Sequence, residues 1–537
     1  MTIRDPILEG INAGWQAIDA AKLVADRELE ADVAIVGSGA GGGIAAEILT
    51  KAGLKVVIVE EGPLKTSTDF KMREADAYPQ LYQESAARKT KDKAINILQG
   101  RCVGGSTTVN WTSSFRTPPT TLAHWQREFG LKELTVEAMA PWFDAVDRRL
   151  SIRYWDQSPN ENNGLLREAG WKLGIPVAPI RRNVKGCWNL GYCGTGCPTN
   201  AKQSMLVTTL PAALAGGAIL AYRLRAERLV LANDKATALE CTAMTPEGIH
   251  PLPYRVRIRA KHFVLAGGAI GTPALLMRSG APDPQRLLGR RTFLHPTTVA
   301  AAVMDHAVKG YAGAPQTIYS DHYLDSVPAD GPIGFKLEAP PLHPVLFATT
   351  LQGYGEVHGK LMAEFANTHA LLSLLRDGFH PDSPGGTVQL GDGGAPVLDY
   401  PISDFVWDGV RRSWLAMAEL QFAVGAKRVY VVHEQCEGYA SMEEAKAGIA
   451  KLPLKNQLAR VVSAHVMGGC GMAADGKQGV TDVWGRHRQL GNVTVCDGSL
   501  FPTSIGANPQ LSVYGLAARN ASRLAEELTQ RPAPALA

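Results

Sequence analysis

The sequence predicts an α/β fold in which one nucleotide-binding domain is assembled from distant segments of the chain. An apolar, β-branched stretch at residues 31–36 is followed by five glycines in seven positions and then by a helical pattern. A second apolar strand at residues 55–59 completes a β-α-β unit, which opens a doubly wound sheet. Strand candidates recur at residues 260–265 and 492–495. Because a contiguous domain of this kind would end much earlier, we expect a second domain inserted between these segments.

Size and composition indicate a globular protein without a nucleic-acid partner. The chain has 537 residues, enough for about two or three domains. Its 55 Lys and Arg residues nearly balance 51 Asp and Glu residues, and no run of five like charges occurs. A mixed-charge surface of this kind gives no basic patch for nucleic acid.

The N-terminal segment and the cysteine content indicate the cellular compartment of the protein. Residues 1–29 lack the basic start and uninterrupted apolar stretch of a signal peptide, and we expect them to form an amphipathic helical extension. No window of about 18 residues is apolar and free of charge, so no membrane-spanning helix is expected. Eight cysteines are too sparse for a disulfide scaffold. We expect a cytoplasmic protein, with peripheral association with the inner membrane as the alternative.

The remaining elements follow from the same periodicities. Helices are predicted over residues 44–52 and 509–528. The inserted region, residues 295–455, contains two apolar patches, at residues 344–351 and 369–375, whose pattern predicts helices. These patches are candidates to line an apolar channel, although a core helix is the simpler interpretation.

The first glycine-rich turn has the spacing of a dinucleotide-binding loop. Gly37 permits the tight turn, Gly39 lets the backbone approach a pyrophosphate, and Gly42 lets the helix pack close to the sheet. The helix N-terminus favours phosphate charge. Glu60 ends the next strand, where its carboxylate can accept hydrogen bonds from ribose hydroxyls. The pattern predicts a bound dinucleotide and does not separate FAD from NAD.

A second glycine-rich segment, at residues 100–111, suggests which dinucleotide is bound. It reads Gly-Arg-Cys-Val-Gly-Gly-Ser-Thr-Thr-Val-Asn-Trp. Its adjacent glycines and hydroxyl residues expose backbone N–H groups to a ligand, and Arg101 can offset phosphate charge. Taken alone, a simple Gly-Gly turn is an equally good interpretation. The segment resembles the first signature of the glucose-methanol-choline (GMC) oxidoreductase family, G-R-x-x-G-G-S-S/T-x-x-N.

Three further segments resemble the same family in the expected order. Residues 268–280 resemble its second signature and depart from it only at the end, where Ala281-Pro282 follows. Residues 463–472 contain His465 in the pattern H-x-x-G-T/G-x-x-M. Residues 495–499 and 504–509 resemble the flavin-contacting Asp-Gly and the closing His/Asn-Pro element. The resemblance extends from about residue 30 to residue 530.

The resemblance implies a Rossmann-like FAD-binding domain with an inserted α+β substrate-binding domain built on an antiparallel sheet. Residues 30–150, 200–295 and 455–530 then form the FAD-binding domain, and residues 295–455 form the substrate-binding domain. A cysteine-rich loop region, residues 155–200, is expected near the active site. The residues expected to contact FAD are Gly37, Gly39, Ala40, Gly41, Gly42, Glu60, Glu61, Arg101, Gly104, Gly105, Ser106, Asn110, Trp111, Asp497, Gly498, Asn508 and Pro509.

The resemblance also implies the chemistry. Hydride leaves an alcohol carbon readily only when the hydroxyl loses its proton to a base. His465 matches the family's catalytic histidine, and Asn508 matches a partner position that holds His or Asn. An amide can hold the substrate oxygen but cannot titrate, so the base role falls on His465. The other twelve histidines are interpreted as structural or surface residues.

Flavin attachment follows from one position. In family members with a covalent histidyl flavin, the linking histidine stands just before the position that matches Asn110. Here that residue is Val109, which has no nucleophile. We therefore expect FAD to be held non-covalently.

Three cysteines invite a metal interpretation. Cys187, Cys193 and Cys197 could supply thiolates to a 3Fe–4S cluster, as in some relatives that pass electrons to a cytochrome subunit. Those relatives carry adjacent cysteines, and no nearby histidine completes a zinc site here. We expect no metal and interpret the three residues as structural cysteines in a loop over the active site.

The substrate class is inferred from residues 196–204, which look most like the long-chain (fatty) alcohol oxidase/dehydrogenase branch. We expect oxidation of a medium- to long-chain primary alcohol to the aldehyde, with sterol or terpenoid alcohols as the alternative and sugars after them. The electron acceptor is oxygen or a quinone, reached directly or through a small partner subunit. The rival interpretations are a non-redox flavoprotein on this fold, such as a hydroxynitrile lyase or a photodecarboxylase, and an NAD-dependent dehydrogenase.

Overall fold

Two eight-stranded sheets organise the computed structural model, which describes residues 3–536. The first sheet holds the predicted nucleotide-binding strands. Its strands are, in spatial order, Ala17–Asp19, Ile219–Tyr222, Val56–Glu60, Arg27–Val36, Pro251–Leu265, Lys235–Met244 and Leu224–Ala232, with Val493–Val495 paired beside Pro251–Leu265. The strands from Ala17–Asp19 through Pro251–Leu265 are parallel, and the last two add an antiparallel meander.

Burial explains why the parallel strands read as continuous apolar runs. All five residues of Val56–Glu60 are buried, because helices cover the sheet. The helix Ala40–Lys51 packs against the C-terminal helix Gln510–Thr529 and against Thr209–Ala215. The predicted strands and helices of this domain therefore overlap observed elements and differ from them at their ends.

The N-terminal segment departs from the predicted helical extension. Among the described residues of this segment, Pro6–Asn12 is an α-helix and Ala20–Lys22 is one turn of 3-10 helix. Gly14 follows the α-helix at φ 102°, a backbone angle that glycine adopts readily. Residues Ala17–Asp19 instead form an edge strand parallel to Ile219–Tyr222. The prediction was wrong here because pairing with the open sheet edge satisfies the backbone groups of this segment.

The second sheet is mainly antiparallel. Its order is Ile95–Ile97, Val461–Ser463, Thr297–Val303, Thr368–Leu375, Phe335–Glu338, Ile318–Ser320 and Ala178–Pro179, with Arg428–Val431 also paired to Thr297–Val303. Three of these strands come from outside residues 295–455, so the sheet recruits chain from both sides of the predicted insertion.

One apolar patch was assigned the wrong secondary structure. Residues 369–375 were expected to be helical, but Thr368–Leu375 is a central strand with all eight residues buried. A strand covered on both faces loses the alternating pattern, so a short apolar run does not distinguish it from a buried helix. The other patch does form a helix, Pro344–Thr350.

The remaining elements connect or cover the two sheets. Short antiparallel pairs join Thr292–Leu294 to Val466–Gly468, Thr387–Leu390 to Pro396–Asp399, and Ile152–Tyr154 to Arg181–Asn183. The other helices are Glu74–Leu81, Ser106–Val109, Pro119–Phe129, Val136–Arg149, Glu161–Leu173, Gly268–Arg278, His322–Asp325, Gly355–Ala363, Asp404–Ala423 and Met442–Lys451.

The helix Asp404–Ala423 covers one face of the second sheet. The indole Nε1 of Trp414 donates to Thr298 Oγ1 at 2.7 Å, and both side chains are buried. A hydrogen bond of this kind fixes the helix over the strand that carries Thr298. The alternate residues of that strand therefore face away from the helix, toward the interior between the two sheets.

Candidate active site

A cavity of about 1140 Å³ lies where the first sheet meets the second. Val36, Gly37, Val59, Glu60 and Ala266 line it, and all five stand at or just beyond the carboxyl ends of parallel strands. Ligands of open α/β sheets bind at such strand ends. Of the residues predicted to contact the cofactor, all but Gly42 and Gly104 line this cavity.

The glycine turn is packed too closely for side chains. Gly37 has φ 96°, and a Cβ atom there would stand 2.3 Å from the carbonyl oxygen of Ala266. A Cβ on Gly42 would stand 1.9 Å from the carbonyl oxygen of Gly37, which is the close helix-to-sheet packing predicted for that position. A Cβ on Gly105 would stand 2.8 Å from Gly39 Cα, so the two glycine-rich segments touch. Together they form one concave surface that consists of backbone atoms without side chains.

Ser38 joins three of the predicted cofactor segments. Its Oγ donates to Glu60 Oε2 at 2.6 Å and accepts from the Gly104 N–H at 3.0 Å. Glu60 Oε2 also accepts from the Ser38 N–H, and its Oε1 accepts from the Gly62 N–H. Burial raises the pKa of Glu60 above its ordinary value. Sequence reasoning missed Ser38, although it stands between the first two glycines of the motif.

Three residues of the second glycine-rich segment already have hydrogen-bond partners within the protein. The N–H of Gly104 is bound to Ser38, and that of Gly105 donates to the Cys102 carbonyl oxygen at 2.7 Å, so neither is free for a ligand. The guanidinium of Arg101 donates to the carbonyl oxygen of Gly248 at 2.6 Å. Its pairing with phosphate stays a prediction, because this donor already has a partner within the protein.

Asp497 ties the C-terminal motif to the helix Gly268–Arg278. Its Oδ2 accepts from the Gly268 N–H at 2.8 Å and from Thr272 Oγ1 at 2.6 Å, and its Oδ1 accepts from Ser499 Oγ at 2.5 Å. The side chain is buried, and burial raises its pKa. The carboxyl therefore holds Gly498 at the cavity wall beside the second signature.

The residues around the cavity fit a flavin dinucleotide. The two glycine-rich segments leave bare backbone beside the N-terminus of the helix Ala40–Lys51, where phosphate charge is favoured. Three buried polar atoms of cavity-lining residues have no hydrogen-bond partner within the protein, namely Trp111 Nε1, Ser113 Oγ and Asn508 Oδ1. Such atoms are normally satisfied by a ligand or by water.

The predicted catalytic pair converges on this cavity. His465 and Asn508 are 43 positions apart in the sequence, and both line the cavity together with Gly498 and Pro509. Burial lowers the pKa of His465 to about 4, so the ring is neutral at pH 7. A neutral imidazole has one nitrogen that can accept a proton and one that carries a proton.

A second histidine contacts the first. Nδ1 of His295 lies 3.0 Å from Nδ1 of His465, and the Gly506 N–H donates to Nε2 of His295 at 3.0 Å. His295 is fully buried, and burial lowers its pKa well below the ordinary value. It was expected to be a structural or surface residue. Its sequence context, Phe-Leu-His-Pro, carries no signal for this contact.

Asn508 is held from behind by a buried carboxyl. Its Nδ2 donates to Glu338 Oε2 at 3.4 Å, and the Nε2 of Gln316 donates to the same oxygen at 2.5 Å. Burial raises the pKa of Glu338 to about 7, although the neighbouring Lys336 acts to lower it. The amide nitrogen of Asn508 therefore faces Glu338. Its Oδ1 is left as an acceptor without a partner.

Beyond His465 the cavity has an apolar arm. Three cross-strand pairs of the second sheet line it, namely Thr297 with Leu374, Val299 with Leu372, and Ala301 with Ala370. Alternation places all six side chains on one face of the sheet. The helix Pro344–Thr350 covers them with Leu346 and Phe347, and Leu342 and Leu351 flank it.

The cysteine-rich loop borders the cavity wall. A Cβ on Gly194 would stand 2.7 Å from the Trp111 ring, and Trp111 lines the cavity. The buried Lys202 donates from Nζ to the carbonyl oxygens of Thr108, Asn110 and Cys193 at 2.6–2.8 Å, which ties the loop to the second glycine-rich segment. Within residues 3–536, no group of three His, Cys, Asp or Glu side chains is arranged to hold a metal ion, and all eight cysteines are free.

The described part of the chain also has no helix that is both long and apolar enough to span a bilayer.

Solved structures of other proteins share this fold. A pyridoxine 4-oxidase from Mesorbium loti superposes with a TM-score of 0.69 at 19% identity, covering 92% of this chain and 98% of that one. A formate oxidase superposes with a TM-score of 0.66 at 16% identity, covering 94% and 99%. At this identity the likeness shows the fold alone, and it agrees with the predicted FAD-binding architecture.

Sequence comparison extends the likeness to a family. Models of the GMC oxidoreductases match residues 78–297 and 381–517. The long-chain-alcohol oxidase FAO1 of Arabidopsis thaliana is 27% identical over 537 residues, covering 95% of this chain and 69% of that protein. An uncharacterized GMC-type oxidoreductase of Mycobacterium tuberculosis is 30% identical over 490 residues, covering 91% and 74%. The chain therefore belongs to the GMC oxidoreductase family and is an FAD-dependent oxidoreductase that acts on CH–OH donors.

Proposed function

We propose that this enzyme oxidises medium- to long-chain primary alcohols to aldehydes. The observation that carries the proposal is the apolar arm, which begins beside His465 and runs along the paired strands Thr297–Val303 and Thr368–Leu375. An alkyl chain gains about 0.8 kcal/mol for each methylene that it buries in such a channel. The likeness to the long-chain-alcohol oxidases supports the same substrate class.

The side chains around the hydroxyl group have distinct roles in this proposal. Bound FAD supplies the hydride acceptor. Asn508 Oδ1 accepts the hydrogen bond of the substrate hydroxyl, since Glu338 engages the amide nitrogen. The O–H then turns from Asn508 to His465, which is neutral at pH 7 and takes the hydroxyl proton as the alcohol carbon loses its hydride. The apolar wall holds the chain so that only its first carbon reaches the reacting atoms.

We also propose that the flavin is held non-covalently. Val109 ends the short helix Ser106–Val109, lines the cavity and offers no nucleophile. Denaturation in acid should therefore release all of the yellow chromophore into the supernatant. Chromophore that stays with the precipitated protein would contradict this attachment.

The electron acceptor and the cellular location are further parts of the proposal. We propose oxygen as the acceptor, with a quinone, reached directly or through a small partner subunit, as the alternative. Eight free cysteines support a reducing, cytoplasmic location, with peripheral binding to the inner membrane as the alternative. Reoxidation of the reduced enzyme by oxygen and by a quinone analogue, compared at equal concentration, distinguishes the two acceptors.

The decisive experiment is anaerobic mixing of the holoenzyme with 1-dodecanol. We expect loss of the oxidised flavin absorbance and one equivalent of dodecanal, while ethanol at the same concentration reduces the flavin far more slowly. The variant His465→Ala should slow the reduction by about 10²-fold or more. Flavin that stays oxidised with every primary alcohol from butanol to hexadecanol would refute the proposal.

The same assay tests the alternatives. Faster reduction by a sterol or a terpenoid alcohol than by 1-dodecanol would favour that substrate class. A lyase or a photodecarboxylase would leave the flavin oxidised with every alcohol. The presence of both His465 and Asn508 in the cavity favours alcohol oxidation over these reactions.

A further inference from the structure

We propose that His295 is a positioning residue that decides which nitrogen of His465 can accept the hydroxyl proton. The two residues are cross-strand neighbours. Leu294 pairs with Val466 in the short antiparallel sheet, so His295 and His465 are the next pair in the same register. The inference deepens the proposed function, because it concerns how His465 becomes a base.

The proton on His295 is placed by the backbone. Gly506 N–H donates to His295 Nε2 at 3.0 Å, and a backbone N–H only donates, so Nε2 carries a lone pair. His295 is buried and neutral, since burial and the charge of Lys336 both lower its pKa. A neutral ring carries one proton, which must therefore reside on Nδ1.

That proton determines the state of His465. Nδ1 of His295 lies 3.0 Å from Nδ1 of His465 and donates to it, which engages the one lone pair of a neutral His465 ring. The proton of His465 then resides on Nε2, the nitrogen left for the cavity. In this arrangement His465 meets an alcohol oxygen as a hydrogen-bond donor.

His465 becomes a base at Nε2 only after this contact opens. The ring must then carry its proton on Nδ1, and two N–H groups cannot face each other at 3.0 Å. His295 would have to turn away or lose its hydrogen bond to Gly506. The hydrogen bond between the two rings thus keeps Nε2 of His465 protonated, as a hydrogen-bond donor. This hydrogen bond must break before Nε2 can act as a base.

Few ionisable groups act on this pair. Lys336 lowers the pKa of His295, and its strand neighbour Glu338 faces Asn508. The Leu294 N–H donates to the Tyr400 hydroxyl, which is bound in turn to Asp377. Burial is the cause of the lowered pKa of His465. Hydrogen bonding therefore decides between the two states.

The direct test is nitrogen-15 NMR of the holoenzyme labelled at histidine, without substrate. Resonances of His465 are assigned by their loss in His465→Gln. We expect Nε2 of His465 to show the shift of a protonated nitrogen and Nδ1 that of an unprotonated acceptor. An unprotonated Nε2 in the wild-type holoenzyme would overturn the inference. This readout does not depend on alcohol oxidation, so it is independent of the proposed function.

Two variants test the role of His295. His295→Leu removes the hydrogen bond to His465, whereas His295→Gln can accept from Gly506 and donate to His465 Nδ1. In His295→Leu we expect the acid limb of the rate of flavin reduction to move up by about 0.4–1 pH unit, because a lone pair freed from one hydrogen bond is more basic. His295→Gln should restore the wild-type profile.

A structural role alone predicts a different result. Both variants would then lower the melting temperature and leave the pH profile unmoved, and that outcome overturns the inference. If His295→Leu does not fold, the NMR measurement on the wild type still tests the inference. The pH profiles of His295→Gln and His295→Asn test it as well, because the shorter asparagine amide cannot reach both the Gly506 N–H and His465 Nδ1.

Discussion

Filling the apolar arm at Ala301 should shorten the range of alcohols that the enzyme accepts. Ala301 lies on the strand Thr297–Val303, opposite Ala370, and both side chains line the cavity. Thr297, at the other end of the row, pairs with Val462, close to His465 in the chain. We consider Ala301→Phe, which adds a ring to the far end of the arm and leaves the catalytic end unchanged.

The size of the effect follows from the geometry. Thr297 and Ala301 are four positions apart, which is about 14 Å along an antiparallel strand. An extended alkyl chain advances about 1.3 Å per methylene, given C–C bonds of about 1.5 Å. About ten carbons therefore reach from the catalytic end to Ala301. If the new ring excludes about three methylenes at about 0.8 kcal/mol each, the loss is about 2.4 kcal/mol, or about 60-fold in kcat/KM for dodecanol.

The assay is kcat/KM for primary alcohols of four to twelve carbons. We expect Ala301→Phe to match the wild type for butanol and hexanol and to fall progressively beyond octanol. The control is Val303→Phe, which lies on the same face one step farther along the strand and does not line the cavity. An equal loss at every chain length, or an equal loss in the control, would refute the placement of the substrate chain.

Three other variants test separate parts of the structure. Ser38→Ala leaves the Gly104 N–H without its acceptor, so it should lower the free energy of unfolding by about 1–3 kcal/mol and weaken FAD binding. An unchanged denaturant midpoint would contradict a stabilising role for the hydrogen bond between Ser38 and Gly104. Burial raises the pKa of Asp377 from 3.8 to about 8, so its contribution to stability is present below pH 4 and is lost as pH rises through 8. Asp377→Asn should remove this slope, about 1.4 kcal/mol per pH unit at most, from unfolding free energies measured across that range, and a slope that persists would contradict the assignment. A Cβ on Gly468, at φ 80°, would stand 2.0 Å from the Arg291 carbonyl oxygen, whereas a Cβ on Gly471 has room. Gly468→Ala should therefore disturb the short sheet whose strands adjoin both histidines, and should slow flavin reduction more than Gly471→Ala.

The nucleotide-binding half of the molecule was predictable because its signals are local. A buried strand, a glycine turn and a helix N-terminus occur within about 20 residues, and each glycine has a steric reason that the sequence alone suggests. The family motifs then placed His465 and Asn508 in one cavity, as the structure shows. The roles of Arg101 and Gly104 were not predictable in the same way, because their partners are Gly248 and Ser38, far away in the sequence.

The second sheet was harder to predict because its strands come from several parts of the chain. Ile95–Ile97 and Ala178–Pro179 are short and lie outside the inserted region, so no periodicity links them to Thr368–Leu375. The last of these is buried on both faces, and its pattern therefore resembles that of a buried helix. Glu338 likewise shows no motif, since its role depends on a fold that brings it behind Asn508.

The position of His465 explains why the two halves of the molecule must be considered together. Two residues before it, Ser463 ends a strand of the second sheet, and directly after it Val466 begins the short sheet with Thr292–Leu294. The imidazole is therefore fixed at the junction of two sheets, where a shift of one residue in register would turn it to the opposite face. Its partner His295 is set by that same register. Hydride chemistry at the carboxyl ends of the first sheet thus depends on strand pairing in the second.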